Sequence, residues 1–203
     1  MNLQPAPQEQ SLTYLVSGLG NPGRDYRDTR HNVGFMLLDR LAERLKIRFT
    51  RMESKAIVAK GDYEGRKLIL AKPQEYMNLS GRAVGALLKY YKIPTGNLIV
   101  AYDDVDLPLG TLRIRPGGGS AGQKGMTSII ERLGSEAFPR LRIGIDRPSG
   151  RMEAADYVLQ NFSASELKTL EPTLDRGVEA VLKFVTEGLD SAMNLYNGRE
   201  ARE

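Results

Sequence analysis

The sequence predicts one α/β domain, and three observations carry that expectation. Short apolar runs of strand length alternate with longer stretches whose apolar residues recur at helical spacing. Neither an internal repeat nor a linker-like composition divides the 203 residues. Hydrophobic residues make up 41% and charged residues 27%, an ordinary globular balance with enough apolar material for one core. In such a domain, chemistry is expected on loops at strand ends.

Met1 to Gln10 is polar and rich in Pro and Gln, with no basic-then-apolar signal pattern. Residues 1–11 therefore read as a flexible tail, 12–198 as the domain and 199–203 as a second tail. Tyr14 to Gly18 reads as a short buried strand closed by the turn run GLGNPG, Gly18 to Gly23. Val33, Leu37, Leu38, Leu41 and Leu45 predict a helix from about Asn32 to Lys46, with Asn32 as its cap. Lys55–Lys60 and Lys67–Ala71 read as strands of a hairpin joined by GDYEGR. Asn78 to Tyr91 carries Val84, Leu87, Leu88 and Tyr91 on one helical face, and Pro94 ends it. Leu98–Tyr102 is an apolar strand running into the acidic loop DDVDLP. Thr111–Arg115 alternates as a strand, and the Gly-rich loop Gly117–Gly125 leads to a helix of about Met126–Leu133. Leu141–Ile145 is another strand. Ser163 and Glu166 form a capping box for a helix reaching about Glu187, and a last helix ends near Asn197-Gly198.

Composition narrows the chemistry. There is no cysteine, which removes disulfides and thiolate metal sites and fits a reducing cytosol. No apolar run approaches the ~18 residues of a membrane span. Net charge is +4, concentrated in one region: Pro108–Arg151 holds eight basic and three acidic residues, while the remainder is slightly acidic. A basic region of this kind suits an anionic partner such as nucleic acid, and equally describes a solvated face.

His31 is the only histidine, so any imidazole proton transfer must use it. It lies in TRHN at a polar helix start, shortly after a turn that follows a strand, where sites are commoner than cores. Asp103, Asp104 and Asp106 offer it a carboxylate partner, which fixes the ring tautomer and makes the free nitrogen a better base. The same aspartates equally read as a magnesium site or as loop caps. Asn21 and Asn78 each carry an amide able to hold a carbonyl or an oxyanion, though asparagine is also a common turn residue.

Two literal motifs are set aside. GLGNPG matches the dinucleotide fingerprint, but the helix begins about ten residues too late for its amides to face a phosphate. GGSAG, Gly118 to Gly122, matches a serine nucleophile elbow at Ser120, but the order His, Asp, Ser is not that of α/β-hydrolases.

Taken together, GLGNPGRDYRDTRHNVGF, YMNLSGRAVG, DDVDLPLG, GGGSAGQKGM and FPRLRIGI, in this order and spacing, resemble bacterial-type peptidyl-tRNA hydrolases over about Tyr14 to Asn197. The resemblance implies a single domain, with a twisted mixed sheet flanked by helices on both faces. It implies a monomeric cytoplasmic enzyme that hydrolyses the ester between peptide and tRNA in peptidyl-tRNA, with no metal and no organic cofactor. It gives His31 the role of catalytic base and Asp103 that of its orienting acid. Asn21, Asn78, Met77 and Tyr26 are implied on the substrate side, and Arg113, Arg115 and Arg142 on the tRNA phosphates of the acceptor arm. The family often reads His-Asn where this chain has Gln123-Lys124, so Lys124 is carried as a substrate-side residue of altered chemistry. The resemblance also reaches relatives that bind RNA as splicing factors without hydrolysis.

Overall fold

The structure, a computed structural model, describes residues 12–148 and 150–197; both expected tails and Gly198 lie outside them. The element order is β1 (Thr13–Gly18), α1 (Val33–Arg44), β2 (Arg51–Glu53), β3 (Ala56–Tyr63), β4 (Arg66–Pro73), α2 (Ser80–Tyr91), β5 (Leu98–Asp104), β6 (Leu112–Arg115), α3 (Lys124–Leu133), β7 (Arg140–Gly144), α4 (Ala154–Tyr157), α5 (Ala164–Glu187) and α6 (Leu189–Tyr196).

The strands form one mixed sheet in the order β2-β3-β4-β1-β5-β7-β6. Its centre, β4-β1-β5-β7, is parallel, and antiparallel pairs finish both edges. β1 and β5 are covered on both faces, which explains why TYLVSG and LIVAYDD read as continuous runs rather than alternating ones. On one face Val16, Ile99 and Leu141 pack beneath Leu37 and Leu41 of α1 and Val178 and Val181 of α5. On the other, Leu15, Val100 and Tyr102 pack beneath Val84 and Leu87 of α2 and Met126 and Ile129 of α3. The expected helix-covered mixed sheet is therefore present.

Local differences have local causes. The hairpin strands run through most of GDYEGR, because only Glu64 and Gly65, both at positive φ, are needed for the turn. β2 is an exposed three-residue edge strand without an alternating pattern to reveal it. Asp103 and Asp104 lie in β5 rather than in a loop, because the parallel ladder with β7 continues to Asp104–Gly144. Asn32 holds the N-cap position of α1 as expected, but its side chain makes no capping hydrogen bond and is used elsewhere, as described below. The Ser163–Glu166 capping box opens α5 as expected.

Candidate active site

The chain leaves β1 for the β2–β4 side of the sheet, then crosses to build β5, β7 and β6 on the other. The carboxyl ends of β1 and β5 thus flank the point where strand order reverses, the usual place for a crevice in such a sheet. Gly34 lets the backbone close around it. A Cβ on Gly34 would stand 2.4 Å from the Ala101 carbonyl oxygen and 2.5 Å from the Leu19 nitrogen. The first turn of α1 therefore presses directly on the ends of β1 and β5, carrying His31 over Asp103.

His31 is buried and its Nδ1 lies 2.8 Å from Asp103 Oδ2. With Nδ1–H donating to the carboxylate, the neutral tautomer presents an unprotonated Nε2. His31 borders a cavity of about 650 Å³ with Asn21, Met77, Asn78, Gln123 and Lys124 on its lining. One wall is apolar, made by Ala154, Ala155, Val158 and Leu159. Tyr102 also reaches the cavity; burial pushes its phenol above the ordinary range, so it stays neutral and is no rival base.

The backbone carrying His31 is fastened to that wall. His31 N–H donates to the Val158 carbonyl at 2.8 Å and Arg30 N–H to the Gln160 carbonyl at 2.9 Å. Arg30, itself buried, stacks on Tyr157 at 4.4 Å and Phe162 at 5.1 Å and pairs with Glu166 at 2.6 Å. Sequence reading missed both α4 and this anchor. AADY is too short for periodicity, and nothing adjacent to Arg30 announces a partner 136 residues away.

The asparagine pair acquires a clear division of labour. Asn32 Oδ1 accepts from the Asn21 amide at 2.8 Å, and its Nδ2 donates to the Asn21 carbonyl at 2.9 Å. Asn21 Oδ1 accepts from the Met77 amide at 2.9 Å. That bond fixes the Asn21 side chain with Nδ2 as its remaining polar group, a donor with no partner among the described residues. Met77 is buried in the wall, whereas Asn78 is exposed at the lip.

Other expected residues fall into place unevenly. Tyr26 does not line the cavity; its carbonyl accepts from the Thr29 hydroxyl at 2.8 Å and braces the loop ahead of His31. Lys124 is exposed on the lining at the start of α3. Gln123, passed over in favour of Lys124, caps α3 and reaches Asp103 Oδ1 at 3.1 Å. Its signal lay in the helix start it precedes. Ser120 lines the cavity, but no hydrogen bond joins it to His31 among the described residues. The aspartates diverge: Asp103 to His31, Asp104 to Arg142, Asp106 to Arg147.

The basic surface is thinner than the count of charges. Arg140 is wholly buried, holding the carbonyls of Gly119 and Glu136 at 3.0 and 2.8 Å. Arg142 is tied through Nε to Asp104, and Arg113 donates to the Asn197 carbonyl at 3.0 Å. Arg115 is exposed.

Comparison with known proteins agrees with this geometry. The family model described as peptidyl-tRNA hydrolase matches residues 15–203. A peptidyl-tRNA hydrolase of Carboxydothermus hydrogenoformans is 49% identical over 184 residues, covering 91% of this chain and 98% of its own. A chloroplastic peptidyl-tRNA hydrolase of Arabidopsis thaliana is 45% identical over 98% of this chain and 70% of its own. The crystal structure of peptidyl-tRNA hydrolase from Acinetobacter baumannii superposes with a TM-score of 0.87 at 32% identity, covering 94% of this chain and 97% of that one. The sheet, the crevice at its reversal and these matches lead to one conclusion: the chain belongs to the peptidyl-tRNA hydrolase family.

Proposed function

We propose that this protein hydrolyses the ester joining a peptide to the terminal ribose of tRNA, with His31 as general base and Asp103 as its orienting acid. The observation that carries the reading is the buried His31–Asp103 pair, whose free imidazole nitrogen borders a cavity with apolar and amide walls. An ester carbonyl is electrophilic enough for attack by water, so no covalent intermediate is needed. His31 Nε2 takes a proton as the water oxygen bonds to the carbonyl carbon. The carbonyl electrons move onto oxygen, and Asp103 stabilises the imidazolium. When the tetrahedral centre collapses, the bond to the ribose 3′-oxygen breaks and the imidazolium returns the proton to that oxygen. General-base help of this kind is worth about 10² to 10⁴ in rate.

Asn21 Nδ2 and the Asn78 amide supply donors for the peptide carbonyl or the developing oxyanion. An unmatched buried amide costs about 1–3 kcal/mol, which disfavours an aminoacyl ester with a free ammonium in that place. Met77 and the apolar wall take the peptide side, and Lys124 at the rim suits a phosphate or a carbonyl. Arg115, with the unengaged nitrogens of Arg113 and Arg142, suits acceptor-arm phosphates, which position the RNA without reading its sequence. Peptide release from peptidyl-tRNA in the presence of a chelator tests this. Wild type should turn over, and His31→Ala should lose about 10² to 10⁴ of the rate. Full activity in His31→Ala, or binding without turnover by wild type, refutes the reading.

A further inference from the structure

The Asp103 carboxylate has two oxygens, and each is held by a different element. Oδ2 faces His31, and Oδ1 accepts from Gln123 Nε2 at 3.1 Å. The orientation of the Gln123 amide is not arbitrary. Its Oε1 accepts from the Met126 backbone N–H at 2.8 Å, capping α3, so the NH₂ end must face Asp103. The same nitrogen lies 3.4 Å from Met77 Sδ. A Cβ on Gly125 would stand 2.6 Å from Met77 Sδ and 3.1 Å from Gln123 Oε1, so the absence of a side chain there keeps this contact closed. Glutamine is an unusual choice for a cap alone; serine, threonine, aspartate or asparagine reaches the amides with less side chain to order. The extra length is what spans from α3 to the carboxylate.

We infer that Gln123 is a positioning residue for the general base. It fixes the rotation of the Asp103 carboxylate, disperses its charge, and couples the Gly-rich loop and α3 to the histidine through one amide. The inference rests on the catalytic reading of His31 and Asp103. The charged and titratable groups around the pair are Asp104, neutralised by Arg142, exposed Lys124, and the phenols Tyr76 and Tyr102; the α4 wall contributes none to the lining. Gln123 is therefore the neutral group through which the charge on Asp103 is tuned. Losing its N–H leaves the carboxylate charge undispersed on the histidine side, which favours imidazolium and withdraws the free base at neutral pH.

Two substitutions separate this role from capping. Gln123→Ser keeps a good cap but falls short of Asp103. Gln123→Glu keeps an acceptor for the Met126 amide but replaces the donor with a second carboxylate. Both should fold, though each should melt below wild type, Gln123→Ser because Asp103 Oδ1 loses its partner and Gln123→Glu because two carboxylates meet. Both should lower kcat on the order of tenfold and move the acid limb of the kcat/KM profile upward by about one pH unit, the scale of one charge-assisted hydrogen bond. Should Gln123→Ser fold poorly, Gln123→Glu decides alone. Wild-type kcat and acid limb in the folded variants overturn the inference, as does a rise confined to KM, which indicates a cleft wall only. His31→Ala and Asp103→Asn belong in the same assay. If they are inactive while the Gln123 variants are normal, only the role of Gln123 falls; if they are active, the catalytic reading itself falls.

Discussion

At the scale of single residues, the site is built from side chains that spend one half on the protein and leave the other to the cleft. Asn21 shows this most simply: its oxygen is consumed by the Met77 amide, leaving only a donor for the cleft. Asn21→Ala should strand the buried Met77 N–H and cost about 1–3 kcal/mol of stability. Asn21→Asp keeps that acceptor and removes the donor, so it should denature in urea close to wild type while turnover falls on the order of 10²-fold. Equal stability of Asn21→Ala and wild type contradicts the bracing role. This kind of sharing is what a sequence conceals. The His31–Asp103 pair was legible as a candidate because His31 is the only histidine and Asp103 follows an apolar strand. That the Asn32 side chain clamps Asn21 rather than the first turn of α1, or that Gln123 outreaches Lys124 toward the carboxylate, depends on how the chain folds back on itself. Tyr26, by contrast, is absent from the cavity lining, and its carbonyl braces the loop ahead of His31.

At the scale of elements, the start of α5 matters beyond its own helix. Glu166 closes the capping box with Ser163 and pairs with Arg30, one residue before His31. Burial raises its carboxyl, but the Ser163 amide and hydroxyl and the Arg30 guanidinium outweigh that, and it ends below its ordinary value of 4.5. The sign follows from that depression. The stabilisation is present in full above 4.5 and is lost as pH falls through the lower folded value. Glu166→Gln should therefore cost about 1–3 kcal/mol near neutral pH, and its stability curve should converge with wild type in acid. Urea denaturation across that range checks it; a gap that stays constant with pH contradicts it. The helices were readable because α1, α2 and α5 carry sustained apolar stripes. The missed pieces, β2 and α4, are three and four residues long, too short for any period to register.

At the scale of the molecule, strand order does the organising. β1 sits at the centre of the sheet, and the reversal beside it gathers residues 21, 31, 77, 103 and 123 into one crevice from four segments. Alternating runs of strand and helix made the fold class legible, but the order of the strands is a long-range property that no local pattern encodes. The charge count likewise pointed to an anionic partner, while the structure withdraws Arg140 into the interior and ties Arg142 to Asp104. On the proposed reading, what remains is a cleft bearing the His31–Asp103 pair and, apart from it, an edge at β6 that carries Arg113 and Arg115. Asp103→Asn tests that division and the central pair together, because it keeps the shape of the side chain while presenting an amide to His31 Nδ1. Turnover of peptidyl-tRNA and affinity for tRNA should be measured side by side on this variant. The account predicts a kcat lower by about 10² or more with tRNA affinity unchanged; turnover at the wild-type rate contradicts it.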